Sequence, residues 1–224
     1  MTPIPLPLVD GDTLLIDSSS TAEVMTCKRL AQYTFCRHLK SAHEKVALKA
    51  GQILHACLDV RYRSASALHA QTEDIQNVMI SVAEKEYSTW SPPEDDFRNF
   101  STMTSCIREY GIRYPFENFE VMRLPDMRPF VEIPFAFPFA EIRVNGDFLV
   151  QPMKLTTNGY VEDGPAYTKH ITTLKIMWVG KIDVGYRAQG LYIMDHKTST
   201  MATITGEFTI SHQMYGYVAA AEQL

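Results

Sequence analysis

The 224-residue chain is 46% apolar, carries a net charge of −5 and has four cysteines. That apolar content is enough for a sizeable core, and a disulfide framework belongs to much smaller secreted chains, so reduced thiols are expected. No window approaches the ~18 uncharged apolar residues of a membrane span, and the N-terminus lacks a basic start followed by a long apolar run. The expectation is a soluble, cytoplasmic protein built as a single domain over residues 1–224.

The charge is unevenly spread. Residues 21–63 hold Lys28, Arg29, Arg37, Lys40, Lys45, Lys49, Arg61 and Arg63 against Glu23, Glu44 and Asp59, a local excess of five positive charges. Such a segment on an acidic chain can face a polyanion, because phosphate attraction depends on nearby charge more than on the total. From charge alone, a solvated helix face is the favoured reading.

In chain order, helices come first. "DSSSTAEV" offers Ser and Thr caps before a helical run to about Lys40, and "HEKVALKAGQILHACLDVRYR" continues with apolar residues at helical spacing. "TEDIQNVMISVAEKEYSTW" and "FRNFSTMTSCIREYGIRY" read as two more helices, separated by the breaker "SPPEDD". Asp96 and Arg98 fit an ion pair at the start of the second. Residues 18–115 are therefore expected to be mainly helical and 116–224 mainly sheet. "FENFEVMRL", a turn at "PDMRP" and "FVEIPFAFPF" suggest an antiparallel hairpin with Pro134 and Pro138 near an edge. Residues 141–150 and 171–196 supply further strands, "TTNGYVEDGPAYTKH" reads as a long loop, and "GEFTISHQMYGYVAAAEQL" as a closing helix.

The chemistry is concentrated in "GKIDVGYRAQGLYIMDHKTST", residues 180–200. If its two apolar runs pair as antiparallel strands joined near "RAQG", Asp183 and Asp195 meet on one face of the sheet, and Lys197 shares that face with Asp195. Carboxylates among apolar strand residues are costly to desolvate, and a divalent cation is a common compensation. A purely structural Asp–Lys pair holding the hairpin would fit the same two residues.

Four further pieces follow in order. "GQILH" places His55 on a helix after a glycine, "GKID" gives Asp183, "DHK" gives Asp195 and Lys197, and "QMYGY" gives Gln213 and Tyr217 four apart on one helix face. The series resembles the PD-(D/E)XK nuclease superfamily, in its RecB-like and lambda-exonuclease-like branch. That branch has a GxxxH helix, a GxxD strand, a (D/E)xK strand and a QxxxY helix. "SSSTAEVMTCKRLAQY" is similar to its N-terminal serine and cysteine-tyrosine helix, and "VEIPF" to its preceding glutamate-bearing strand, with Glu132 equally readable as an ordinary strand residue. The likeness runs from about Ser18 to the C-terminus.

The resemblance implies an α/β fold with a restriction-endonuclease-like core, a central mixed sheet flanked by helices, behind a helical N-terminal region. It implies a metal-dependent deoxyribonuclease, more an exonuclease than an endonuclease, acting in DNA repair, recombination or phage DNA processing. Magnesium or manganese would be held by Asp183, Asp195, the His196 carbonyl and His55, the nitrogen ligand favouring manganese. Lys197 would orient the attacking water or neutralise developing charge, and Gln213 and Tyr217 would position Lys197 or the DNA backbone. The partners implied are single-stranded DNA or duplex ends, a helicase, a recombinase or a second copy of the chain. No membrane is expected. Some relatives carry an iron–sulfur cluster on one N-terminal and three C-terminal cysteines; no cysteine follows Cys106 here, so none is expected within this chain. The core usually continues with a strand after the QxxxY helix, whereas this sequence stops seven residues after Tyr217, so the resemblance implies either that the last strand is supplied differently or that the C-terminus is truncated. The alternative is a non-catalytic nuclease-fold module that binds DNA or a protein. A metalloprotease is disfavoured by the absence of HExxH.

Overall fold

The structure is a computed structural model that describes residues 5–36, 45–65, 72–115, 119–156, 159–196 and 217–220. The architecture is α/β, a mixed sheet flanked by helices. The chain groups into two compact units: residues 1–42, 134–180 and 209–224 form one, and residues 43–133 and 181–208 the other.

The first unit opens with a hairpin that the sequence reading left without an element. Strand β1 (Leu6–Val9) turns back into β2 (Thr13–Ile16), with Val9 paired to Thr13. The turn needs positive φ, and Asp10 (53°) and Gly11 (74°) supply it. A D–G pair between apolar runs is a local hairpin signal. The expected N-terminal helix is broken into pieces. Helix α1 (Ser18–Thr26) starts on a capping box, in which the Asp17 carboxylate accepts from the Ser20 N–H and the Ser20 hydroxyl accepts from the Asp17 N–H. Cys27 is extended, which ends α1 before the short α2 (Lys28–Ala31) and a π-type segment, Gln32–Cys36.

Helices α3 (Val46–Ala65), α4 (Thr72–Thr89) and α5 (Phe100–Arg113) fall close to their expected places, in the second unit. Each buries one stripe at helical spacing: Ile53, Cys57 and Tyr62 of α3, Ile75, Met79 and Ala83 of α4, Met103 and Ile107 of α5. The Asn99 side chain caps α5 by accepting from the Thr102 N–H, and the Asp96–Arg98 pair precedes it at 3.1 Å. Burial pushes the Cys57 thiol up to about 11. Cys27, Cys57 and Cys106 are all free thiols.

The sheet is not confined to the second half of the chain. Strand β3 (Glu120–Val121) is short, and the expected hairpin around "PDMRP" is present as an antiparallel Arg123–Pro129 bridge, with the Leu124 N–H donating to the Arg128 carbonyl at 2.9 Å and the Phe130 N–H to the Met122 carbonyl at 2.7 Å. Strand β4 (Val131–Thr156) continues through both prolines into residues 141–150. The expected long loop contains β5 (Gly159–Glu162), antiparallel to β4, and the start of β6 (Tyr167–Arg187). Strand β7 (Leu191–Met194) follows. In the first unit β1 runs parallel to β4 and β2 parallel to β6, around a core of Leu8, Val150 and Ile171. In the second unit β6 pairs antiparallel with both β3 and β7, and Val121, Val131 and Val184 close the helical core. The turn at "RAQG" joins β6 to β7 as expected, with Arg187 opposite Leu191 and Val184 opposite Met194. Among the described residues, no helix is long and apolar enough to cross a membrane.

Candidate metal centre

Three elements of the second unit deliver the site. His55 lies on α3, two residues from the buried positions Ile53 and Cys57, so the packed stripe fixes its rotation without covering it. Asp183 lies on β6, bracketed by Ile182 and Val184, which are at most 1% exposed; the carboxylate itself is 9% exposed. Glu132 sits near the start of β4 between buried Val131 and Ile133. Ligand atoms of His55, Glu132 and Asp183 all lie within 4.8 Å of one another.

The imidazole of His55 is held from both sides. Its Nδ1 faces the Asp183 carboxylate at 3.5 Å and that of Glu132 at 3.7 Å. Its Nε2 lies 2.9 Å from the His196 carbonyl and donates to it when it carries the proton. That tautomer leaves a lone pair on Nδ1 directed toward two carboxylates. A ring so arranged is suited to ligate a cation, since metal-binding histidines commonly give their other N–H to a carbonyl. Without a cation, the second proton of an imidazolium serves the same acceptors. The His55 pKa is accordingly raised above its ordinary 6.5, chiefly by Glu132, against burial, with Asp183 and the His196 carbonyl adding to the effect.

The carboxylates are tuned the other way. Burial works against the charge on Asp183, yet the side chain and backbone N–H of His196, the latter donating at 2.8 Å, outweigh it and lower its pKa from 3.8. Burial likewise opposes the charge on Glu132, and His55 and Lys181 overcome it, lowering its pKa from 4.5. Lys181 forms an ion pair with Glu132. The Glu132 backbone has φ of 54°, a left-handed conformation in the run of β4. For a glutamate this costs about 1–3 kcal/mol, and such outliers cluster at functional sites.

Behind the ligands stands a second layer. The Tyr62 hydroxyl lies 3.0 Å from His196 Nε2 and 2.9 Å from the Tyr110 hydroxyl, tying the β7 exit to α3 and α5. In front is a pocket of about 560 Å³, lined by His55, Asp59, Glu132, Lys181 and His196 among others. Burial raises the Asp59 pKa above 3.8, while Arg63, 2.6 Å away, resists the shift.

The sequence-derived residues are distributed as follows. His55, Asp183 and the His196 carbonyl come together. Asp195 is half-buried, one residue beyond the end of β7, and its carboxylate does not belong to the three-residue cluster; Glu132 takes the third place. The His196 carbonyl stands at Nε2 of His55, while the carboxylates stand at Nδ1. Lys197 and Gln213 lie outside the described residues. Tyr217 is buried in a helical turn of the first unit, with its ring edge-on to Phe135. The residue that sequence reasoning passed over is Lys181, although it stands two before Asp183 and strand alternation puts both on one face.

The basic excess of residues 21–63 is partly committed to the fold. Arg61 is 3% exposed, donates to the Tyr114 carbonyl and stacks over the Tyr110 ring, while Lys49 pairs with Glu86 and Arg63 with Asp59. Arg37 and Lys40 lie outside the described residues.

No family model matches the chain, and neither a curated protein nor a solved structure matches it.

Proposed function

We propose that the chain is a divalent-metal-dependent nuclease of the PD-(D/E)XK type, with a restriction-endonuclease-like core, that hydrolyses phosphodiester bonds of DNA as an exonuclease. The observation that carries this reading is the convergence of His55, Glu132 and Asp183, drawn from a helix and two strands in the order the motifs occupy along the sequence. Two carboxylates and one imidazole are a hard, mixed oxygen–nitrogen donor set that suits manganese or magnesium and leaves coordination positions for water and a phosphate oxygen. The bound cation would lower the pKa of a water and stabilise charge on the phosphoryl oxygens.

The protein's own groups have distinct tasks. Asp183 and Glu132 supply the negative charge that selects a divalent cation, and His196 orients both His55 and Asp183 through its carbonyl and N–H. Tyr62 holds the His196 ring. Asp195 adds a carboxylate at the mouth of the same hairpin, and Lys197 directs the water or meets the developing charge. The pocket in front of His55 admits the scissile phosphate.

The test is incubation of the purified protein with end-labelled single- and double-stranded DNA, with and without manganese. Manganese-dependent release of nucleotides from an end, lost in Asp183→Asn, is expected. A protein that binds manganese and DNA but cuts no substrate would instead be the non-catalytic module.

A further inference from the structure

Lys181 projects from β6 on the face that carries Asp183, and its ammonium pairs with one oxygen of Glu132 while the other oxygen faces His55 Nδ1 at 3.7 Å. The two partners differ in exposure: the Lys181 side chain is 57% exposed and that of Glu132 15%. The lysine therefore reaches inward from the solvent edge to an acid that belongs to the cluster. Among the described residues lining the pocket, Lys181 carries the only ammonium or guanidinium group. The neighbouring Arg63 is engaged by Asp59 at 2.6 Å and by the Val131 carbonyl at 3.0 Å.

We propose that Lys181 is a phosphate-binding residue whose charge Glu132 holds until a divalent cation takes up the carboxylate. The inference rests on the nuclease reading above and adds to it the group that meets the substrate's phosphate. A pair with one exposed partner is weak and easily exchanged. A doubly charged ion at the point shared by His55, Glu132 and Asp183 competes for the Glu132 charge far better than a lysine half in water. With that charge taken, the ammonium stands at the pocket mouth released from Glu132, and the nearby Asp59 is already engaged by Arg63. A compact ammonium on a flexible stem is a good partner for a non-bridging phosphate oxygen. Without a cation the pocket presents a masked lysine beside two carboxylates, and a polyanion is repelled. Cation and DNA then bind cooperatively, and the coupling is reciprocal: each tightens the other by the same factor.

The experiment uses the full chain, calcium as an oxygen-seeking cation, and a short labelled single-stranded oligonucleotide, with both affinities measured by titration. In the parent, calcium should tighten oligonucleotide binding about tenfold, and the oligonucleotide should tighten calcium by the same factor. Lys181→Ala should bind calcium alone as well as the parent or better, lose most of the coupling, and show a salt dependence of oligonucleotide binding reduced by about one charge. Lys181→Arg should restore most of the coupling. Retained coupling and an unchanged salt slope in Lys181→Ala would overturn the inference while leaving the nuclease reading intact. Weakened calcium binding in that variant would also overturn it, because the lysine would then serve only to place Glu132. A parent that binds calcium but no oligonucleotide would remove the nuclease reading itself and this inference with it.

Discussion

Two histidine–carboxylate clusters in this chain have similar composition and very different surroundings. In the first unit, His170 meets Asp147 at 2.8 Å and Asn145 at 3.1 Å, with its side chain 57% and that of Asp147 70% exposed. In the second, His55 meets Asp183 and Glu132 at the longer distances of 3.5 and 3.7 Å, with the two acids only 9% and 15% exposed. The shorter contact is the less consequential one. Water competes with the His170 pair and screens it, whereas burial of Asp183 and Glu132 leaves their charge to be answered by the protein or by a cation. His55 is also constrained by a helix packed on two others, and one ring nitrogen is committed to the His196 carbonyl. A ligand site needs this combination of enforced proximity and incomplete compensation, which hydrogen-bond length alone does not reveal.

The comparison breaks most easily on activity. On the proposed nuclease reading, Asp183→Asn should reduce manganese-dependent cleavage by about 10²–10³-fold, the scale of a lost electrostatic clamp, while Asp147→Asn leaves the rate unchanged. Rates on end-labelled DNA for both variants decide it, and equal losses would show that the buried cluster has no privileged role.

Stability offers the next contrast. Ile107, 1% exposed in the helical core of the second unit, should cost about 2–5 kcal/mol on replacement by alanine. His170→Ala should leave the urea unfolding midpoint where it was. A small effect of Ile107→Ala would mean that the core bracing His55 is looser than its burial indicates.

A third variant pair addresses the strained acid. Glu132→Ala and Glu132→Gly both remove a candidate ligand and, if the cluster holds a cation, should weaken calcium binding alike. The glycine variant should be the more stable by about 1 kcal/mol, because only glycine accepts φ of 54° without strain. Paired thermal melts would show equal stabilities if that backbone relaxes once the carboxylate is gone.

The smallest effect is on pH. The folded pKa of His55 is raised above 6.5, so its contribution to the stability of the metal-free protein is fully present below pH 6.5 and is lost as pH rises through the folded value. Asp183 and Glu132 have lowered pKa values, so their contributions are present above 3.8 and 4.5 and are lost as pH falls through the folded values. The cluster therefore stabilises the metal-free fold most between about pH 4.5 and 6.5. Metal binding follows the opposite trend on the alkaline side, because the cation replaces a proton on His55 and gains affinity as pH rises. Calcium titrations and melts at pH 6 and pH 8 should move in opposite directions in the parent, and the His55→Ala variant should lose the melting shift above pH 6.

Local pattern was enough for α3, α4 and α5, whose apolar stripes recur at helical spacing, and for the β6–β7 hairpin, whose "RAQG" turn lies between two apolar runs. It also marked Asp183, a charge inside an apolar strand, whereas His55 stood out only through the resemblance, as the histidine of GxxxH. It did not settle Glu132. A glutamate in "VEIPF" can alternate outward as an ordinary strand residue, and its left-handed backbone and its approach to His55, 77 residues away in sequence, exist only once β4 is laid beside β6 and α3. Lys181 was in plain view two residues before Asp183, but a lysine on a strand declares nothing until its partner is known. The β1–β2 hairpin was written in its D–G turn, whereas its parallel pairing with β4 and β6 joins residues more than 130 apart. The sequence thus determined the three helices α3, α4 and α5 and the charge placed at Asp183, since both follow from neighbours along the chain. Only tertiary structure decided which carboxylate completes the cluster, because that choice depends on register and burial between segments that no local pattern couples.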